Sequence, residues 1–359
     1  SDIREISLRS RKAQYTYLAK LAEGCTSQTA ILYRDNECIL PLVDLLERNG
    51  IPYQMRNAEL SFFSHRTILD IINIIKLAQN PMDTEAFLQI YYKIGTYLRK
   101  QDAIRIARIS EEKRIPVLDV AAEDPDLNGH VLGSVRSMRT HLQNLLQDSG
   151  ERALYRIMQY MGYQEYLNRS GLSDSKLEIL RILGSRADSP MELAERLEQL
   201  KVLIREKEPD RKCPLILSTI HASKGLEYDS VYLIDVADGI LPESIPQNLH
   251  QASAEELKAY EEERRLFYVG VTRAKDHLTL FTTNRPSTFC SEFLGKSSVT
   301  EEGRKNLMPV ESRISRTFKQ ARPYAAVAGI RQTKASEELY FRLKEELGTG
   351  VIVEHKKYG

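Results

Sequence analysis

The segment best equipped for chemistry is Ser218-Thr219-Ile220-His221-Ala222-Ser223-Lys224-Gly225-Leu226-Glu227-Tyr228. Apolar runs flank it on both sides, so it reads as the loop between two buried strands. In open α/β sheets, ligands bind just outside the carboxyl ends of the strands. Thr219, His221, Ser223 and Lys224 offer donors suited to phosphate oxygens, and Gly225 permits close backbone approach. The same residues also fit a polar turn with a snorkelling lysine, and spacing leaves both readings open.

Two further segments carry arginines in suggestive settings. In Glu261-Glu262-Glu263-Arg264-Arg265-Leu266-Phe267-Tyr268-Val269-Gly270-Val271-Thr272-Arg273-Ala274, helical spacing puts Arg265, Val269 and Arg273 on one face. A guanidinium held there suits a transferring phosphoryl group; a solvated Glu/Arg face with i,i+4 ion pairs is the competing account. In Tyr33-Arg34-Asp35-Asn36, a ring beside an arginine could stack on a base and reach a phosphate. Asp35 and Asn36 equally suit a strand-to-helix turn.

Other chemistries are disfavoured. Gly295-Lys296-Ser297 looks like the end of a P-loop, but position 290 is Cys where the motif needs Gly. The histidines form no H-x-x-x-H pair, the cysteines Cys25, Cys38, Cys213 and Cys290 no C-x-x-C, and there is no G-x-S-x-G. The cysteines read as reduced, packed thiols. No apolar run approaches the 18 or so residues of a membrane span, and the first residues do not read as a signal peptide.

The elements that must position these segments follow from hydrophobic periodicity. Residues 1–24 are expected to form an amphipathic helix, with Tyr15, Leu18 and Leu21 at helical spacing. Strands are expected at 29–33 and 51–55, separated by a helix from Asn36 to about Arg48. A second helix, capped by Ser64, runs to Asn80-Pro81. From about 85 to 210 helical patterns dominate, at 84–94, 101–113, 131–148, 151–161, 174–184 and 190–206. Strands return at 215–220, 231–235 and 277–282, with a helix over 254–274. Two early strands are too few for a stable sheet. The early and late strands are therefore expected to pair in one parallel sheet, with the helical block inserted.

The chain has 359 residues, 51 Lys+Arg against 50 Asp+Glu and a formal net charge of +1, which excludes a uniformly basic, histone-like protein. The charge is uneven. Segments 91–114 and 303–322 are basic, and 255–263 is acidic, so nucleic-acid binding stays open.

These segments together resemble the C-terminal half of superfamily 1 DNA helicases of the UvrD/Rep/PcrA family. Residues 30–36 look like motif IV, 219–228 with Gly239-Ile240-Leu241-Pro242 like motif V, and 262–274 like motif VI. The resemblance implies an α/β, RecA-like parallel-sheet domain (the P-loop NTPase fold without its P-loop), called 2A, interrupted by a mostly helical insertion, 2B. The expected boundaries are 1–88 and 211–300 for 2A, 89–210 for 2B, and 301–359 for a basic tail beginning a further module. By similarity, Tyr33 would stack on adenine, Arg34 and Arg273 would act as arginine fingers on the γ-phosphate of ATP, and Glu227 would hold the ribose. Thr219, His221 and Lys224 would lie on the DNA side or couple it to the nucleotide, and Ser223 would join them in contacting DNA. Mg2+ would be held mainly by an N-terminal RecA-like half carrying the Walker A motif, which this sequence lacks. The implied partners are single-stranded DNA and ss/ds junctions, that N-terminal half, and a protein docking on 2B. A cytoplasmic protein is expected, nucleoid-associated if bacterial. Alone, the chain is expected not to hydrolyse ATP. Lys93-Ile94-Gly95-Thr96-Tyr97 is a degraded form of the family's duplex-gripping hairpin. The alternative is a stand-alone DNA- or protein-binding module derived from a helicase.

Overall fold

The computed structural model describes residues 2–56, 61–171, 175–208, 210, 212–246, 248, 251–283 and 285–295. The basic tail expected over 301–359, and most of the segment resembling a P-loop end, lie outside the described residues. The elements begin with β1 (Asp2–Ser7), α1 (Arg11–Glu23), β2 (Thr29–Tyr33), α2 (Leu40–Arg48), β3 (Gln54–Met55), α3 (Ser61–Ser64), α4 (Arg66–Gln79) and α5 (Thr84–Ile90). Next come α6 (Lys100–Lys113), α7 (Val117–Ala122), α8 (Gly129–Leu145), α9 (Gly150–Gln159), α10 (Tyr163–Ser170), α11 (Ser175–Gly184) and α12 (Pro190–Glu206). The chain then returns through β4 (Leu215–Thr219), β5 (Tyr228–Leu233), α13 (Ala254–Val271), β6 (Ala274–Thr282) and α14 (Thr288–Phe293).

The chain divides into two compact units, one comprising 1–35, 49–57 and 210 onward, the other 36–48 and 58–209. The first unit holds one parallel sheet in the order β1-β6-β5-β2-β4-β3. Early and late strands interleave as expected. All five residues of β2 are buried, the mark of a parallel strand covered on both faces. On one side α13 lays Tyr260, Leu266, Phe267 and Val271 into a core with Leu32, Val231, Leu233, Leu278 and Leu280. A capping box starts this helix: Ser253 accepts from the backbone of Glu256, whose carboxylate accepts from the Ser253 backbone.

The amino-terminal expectation needs correction. Residues 2–7 are a strand paired with β6, and the helix starts only at Arg11, capped by Ser10. Ile3 and Ile6 sit three apart and mimic helical spacing, while Glu5 is buried and accepts from Thr282 Oγ1. Strand alternation is therefore hidden at an inward-facing carboxylate. Further on, a buried clamp fixes α1: Asp235 receives Arg11 Nε and Nη2 and Gln14 Nε2, and its own N–H bonds Gln14 Oε1.

The second unit is helical. Its apolar helix α4 buries Ile68, Ile71, Ile74 and Ile75 and packs on α5, α8, α11 and α12. The cap of α4 is His65, whose Nδ1 accepts from the Thr67 N–H; Ser64 ends the short α3 instead. Buried Asp44 of α2 collects Arg48, Arg186 and Arg196. These contacts place 36–48 and 61–88 with the helical unit, so the compact units divide the chain differently from the expected 88/89 boundary.

Candidate functional site

Strand register decides which candidate residues meet. Tyr33 pairs with Thr219 across β2 and β4, and Ile220 N–H donates to the Tyr33 carbonyl at 2.9 Å. Tyr33, Arg34 and the loop from Thr219 therefore share the carboxyl edge of the sheet. At the opposite, amino edge, Tyr228 N–H donates to the Arg273 carbonyl at 2.9 Å. Glu227 and Arg273 thus lie side by side where β5 and β6 begin. The eight residues between β4 and β5 carry the chain from one edge to the other.

The loop is built by its own hydroxyls. Thr219 Oγ1 accepts from Ala222 N–H at 3.1 Å, and Ser223 Oγ donates to the Ile220 carbonyl at 2.7 Å. Both side chains are buried. They shape the turn rather than face solvent, which differs from the direct DNA contact expected of them. His221, Lys224 and Glu227 are exposed, and Gly225 adopts φ +83°, where an L side chain is strained. Tyr33 is fully buried, so the ring expected to stack on adenine is instead part of the interior.

Arg34 is enclosed by acids. Its Nε and Nη2 bond Glu263 at 3.1 and 2.7 Å, Nη2 also bonds Glu243 at 2.7 Å, and Nη1 bonds Asp35 at 2.7 Å. Partial burial alone would lower its pKa. The bonds to Glu263 and Asp35 outweigh that and raise it further, fixing the positive charge. The cause of the Glu263 contact is helical phase. Glu263 lies three residues after Tyr260 and four before Phe267, both buried, so it shares their inward face, whereas Glu261 and Glu262 are exposed. A half-buried carboxylate requires a partner. Sequence reading passed over Glu263 as one of a run of glutamates, although its phase on an amphipathic helix marks it.

Arg273 is held differently. The helix expected through 274 ends at Val271 with Thr272 as its cap, so Arg273 stands beyond it. Its Nε donates to the Val269 carbonyl, Nη1 to the Leu226 carbonyl and Nη2 to Thr272 Oγ1, each at 2.9 Å. These partners are neutral oxygens, which orient the fork without cancelling its charge. Burial pushes the Tyr228 hydroxyl pKa up, against the opposing positive charge of Arg56 and Arg273. The two arginines are thus fixed at points six residues apart on α13, about 9 Å along its axis. In this arrangement they do not converge on one phosphate.

Within the helical unit the basic run at 91–114 is partly neutralised. Lys93 is buried and bonds Asp70, which also accepts from Tyr163. Arg105 faces Asp102, Asp124 and Asp126, and Arg108 faces Glu112. Arg99, Lys100, Lys113 and Arg114 remain exposed. Among the described residues, no group of three or more His, Cys, Asp or Glu side chains could hold a metal ion, and no helix is long and apolar enough to cross a membrane.

The chain is similar to known proteins over most of its length. Residues 10–285 match the UvrD-like helicase C-terminal domain. The chain is 30% identical over 288 residues to the ATP-dependent DNA helicase Rep of Escherichia coli, covering 73% of this chain and 40% of Rep. It is 28% identical over 270 residues to the putative ATP-dependent DNA helicase YjcD of Bacillus subtilis, covering 73% and 35%. With DNA helicase II of Haemophilus influenzae the identity is 25% over 358 residues, covering 94% and 47%. The chain thus spans less than half the length of these relatives.

Proposed function

The chain belongs to the UvrD-like helicase C-terminal domain family, and from that premise we propose that it is the C-terminal portion of an ATP-dependent DNA helicase moving 3′ to 5′ on single strands. The observation that carries this reading is Arg273: a guanidinium oriented by three neutral oxygens beside the exposed Glu227. Such a group offers an uncancelled charge to developing negative charge on a phosphoryl group. In this reading the exposed Glu227 accepts from a ribose hydroxyl. Arg34 is the second arginine finger, held away from Arg273 at rest. Tyr33, buried behind it, fixes the end of β2. ATP supplies the phosphoryl group whose loss drives the cycle; the described residues offer no carboxylate set for Mg2+, which the nucleotide-binding half would carry.

His221 and Lys224 are the exposed groups suited to DNA phosphates, on a turn braced by Thr219 and Ser223. Single-stranded DNA and ss/ds junctions are the proposed substrates, with the exposed basic residues of the helical unit as secondary phosphate contacts and that unit as a docking surface for a protein partner. The sequence has no G-x-x-x-x-G-K-[ST], so the chain alone should lack ATPase activity. The test is DNA-stimulated ATPase of the complete helicase, wild type against Arg273→Ala. A loss of about 10³-fold is expected. Unchanged activity would overturn the assignment. Measurable ATPase of the isolated chain, abolished by the same substitution, would overturn its incompleteness.

A further inference from the structure

The geometry of the acids around Arg34 bears on how the finger is used. Glu263 takes Nε and Nη2, the edge of the guanidinium that clamps a carboxylate or phosphate bidentately. While Glu263 holds that edge, a phosphate cannot. Glu263 is itself braced: its Oε2 accepts from the Glu243 N–H at 3.3 Å, and the Glu243 carboxylate takes Nη2. The side chains of Arg34 and Glu263 are 18% and 16% exposed, while that of Glu243 is 67% exposed. The inner acid therefore dominates the contact, because solvent screens the outer one.

We propose that Glu263 is a positioning residue for Arg34, a carboxylate latch that keeps the finger about 9 Å along α13 from the anchor of Arg273 until a γ-phosphate takes the guanidinium from it. This rests on the reading of Arg34 as a γ-phosphate ligand. A triphosphate brings a terminal group with more negative charge than one carboxylate and can compete for the fork. A diphosphate lacks that group and leaves the latch closed. The latch thereby converts the presence of the γ-phosphate into a change of arginine orientation, a differential interaction between two states.

The test uses the complete helicase with Glu263→Gln, Glu263→Asp, Arg34→Ala and the double variant Arg34→Ala/Glu263→Gln. It reads equilibrium binding of a non-hydrolysable ATP analogue and of ADP, with the KM and kcat of DNA-stimulated ATPase. Glu263→Gln keeps the shape and removes the charge. It should tighten analogue binding about fivefold to tenfold and lower the KM for ATP in step, with ADP binding unchanged. Glu263→Asp, with a shorter reach, should lie between wild type and Glu263→Gln. In the Arg34→Ala background the substitution should have no effect on binding. If Arg34→Ala weakens analogue binding but Glu263→Gln leaves it at the wild-type value, the latch is wrong and the finger stands. If Arg34→Ala leaves ATPase and analogue binding unchanged, the finger assignment fails and the latch falls with it. Weakened binding of both nucleotides by Glu263→Gln would make Glu263 a structural residue and overturn the proposal.

Discussion

Arg34 and Arg273 leave the same sheet at opposite edges, and they are held by opposite means. Three carboxylates surround Arg34 and neutralise it; two carbonyls and a hydroxyl aim Arg273 and leave its charge intact. The first environment stores an arginine and the second presents one. The difference teaches that an arginine's motif does not fix its state: the neighbours on α13 do, through the phase of Glu263 and the carbonyl of Val269 in the last turn of the helix.

The largest expected effect comes from replacing each arginine by lysine. A lysine keeps the charge but is a point donor without a planar fork. At position 273 it cannot bond the Val269 and Leu226 carbonyls together, so ATPase of the complete helicase should fall about 10²- to 10³-fold. At position 34 a carboxylate cage accepts an ammonium almost as well, and the loss should stay near about tenfold. Equal losses at both positions would break the distinction between a caged and an aimed arginine.

Stability of the isolated chain should separate them further. Arg34→Ala leaves Glu263, Glu243 and Asp35 facing one another, at a cost of about 1–2 kcal/mol. Adding Glu263→Gln should return roughly half of it, since the repulsion is relieved. Arg273→Ala strands the Leu226 carbonyl, while Thr272 Oγ1 still donates to that of Val269; the cost is about 1–3 kcal/mol, and no neighbouring acid can be removed to recover it. Urea unfolding of the four proteins reads both. A smaller effect follows from screening: raising salt to about 0.5 M, where the Debye length is well under 10 Å, should stabilise Arg34→Ala by a few tenths of a kcal/mol relative to Arg273→Ala. The absence of any relative shift would mean that the acids do not repel.

Much of this was legible in the sequence, because long apolar periodicities survive tertiary context. The parallel sheet joining early and late strands, the helical block and the turn at Gly225 follow from pattern. Side-chain pairing did not. Ile3 and Ile6 imitated a helix because the register with β6 lies about 270 residues away along the chain. Thr219 and Ser223 read as ligands because a hydroxyl that braces its own turn and one that meets a phosphate are the same residue types. Tyr33 is expected by resemblance to stack on adenine, while the coverage of β2 on both faces, which encloses its ring, appears only once the sheet is assembled. Lys93 belongs to the basic run at 91–114, yet it is paired with Asp70, 23 residues earlier on α4.

The smallest expected effect tests whether the arginines are the pH-independent part of the molecule. Guanidinium groups do not deprotonate in proteins. In the helical unit, His65 is pushed below its usual 6.5 by burial and by Lys176, against the weaker pull of Glu37 and Asp70. His141 is lowered by burial and by Arg156. A histidine with a depressed folded pKa is more readily protonated in the unfolded chain. Stability therefore falls as the pH drops through about 6.5. For His65 the physical event is loss of the Nδ1 acceptor that caps α4. His65→Asn keeps a cap acceptor without a titrating ring. It should flatten the stability profile between about pH 6.5 and 5 while leaving the Arg34 and Arg273 phenotypes unchanged. Calorimetric midpoints across that range would show it. A profile that keeps its full slope in His65→Asn would place the acid-sensitive contact elsewhere, with His141 beside Arg156 the next group to test.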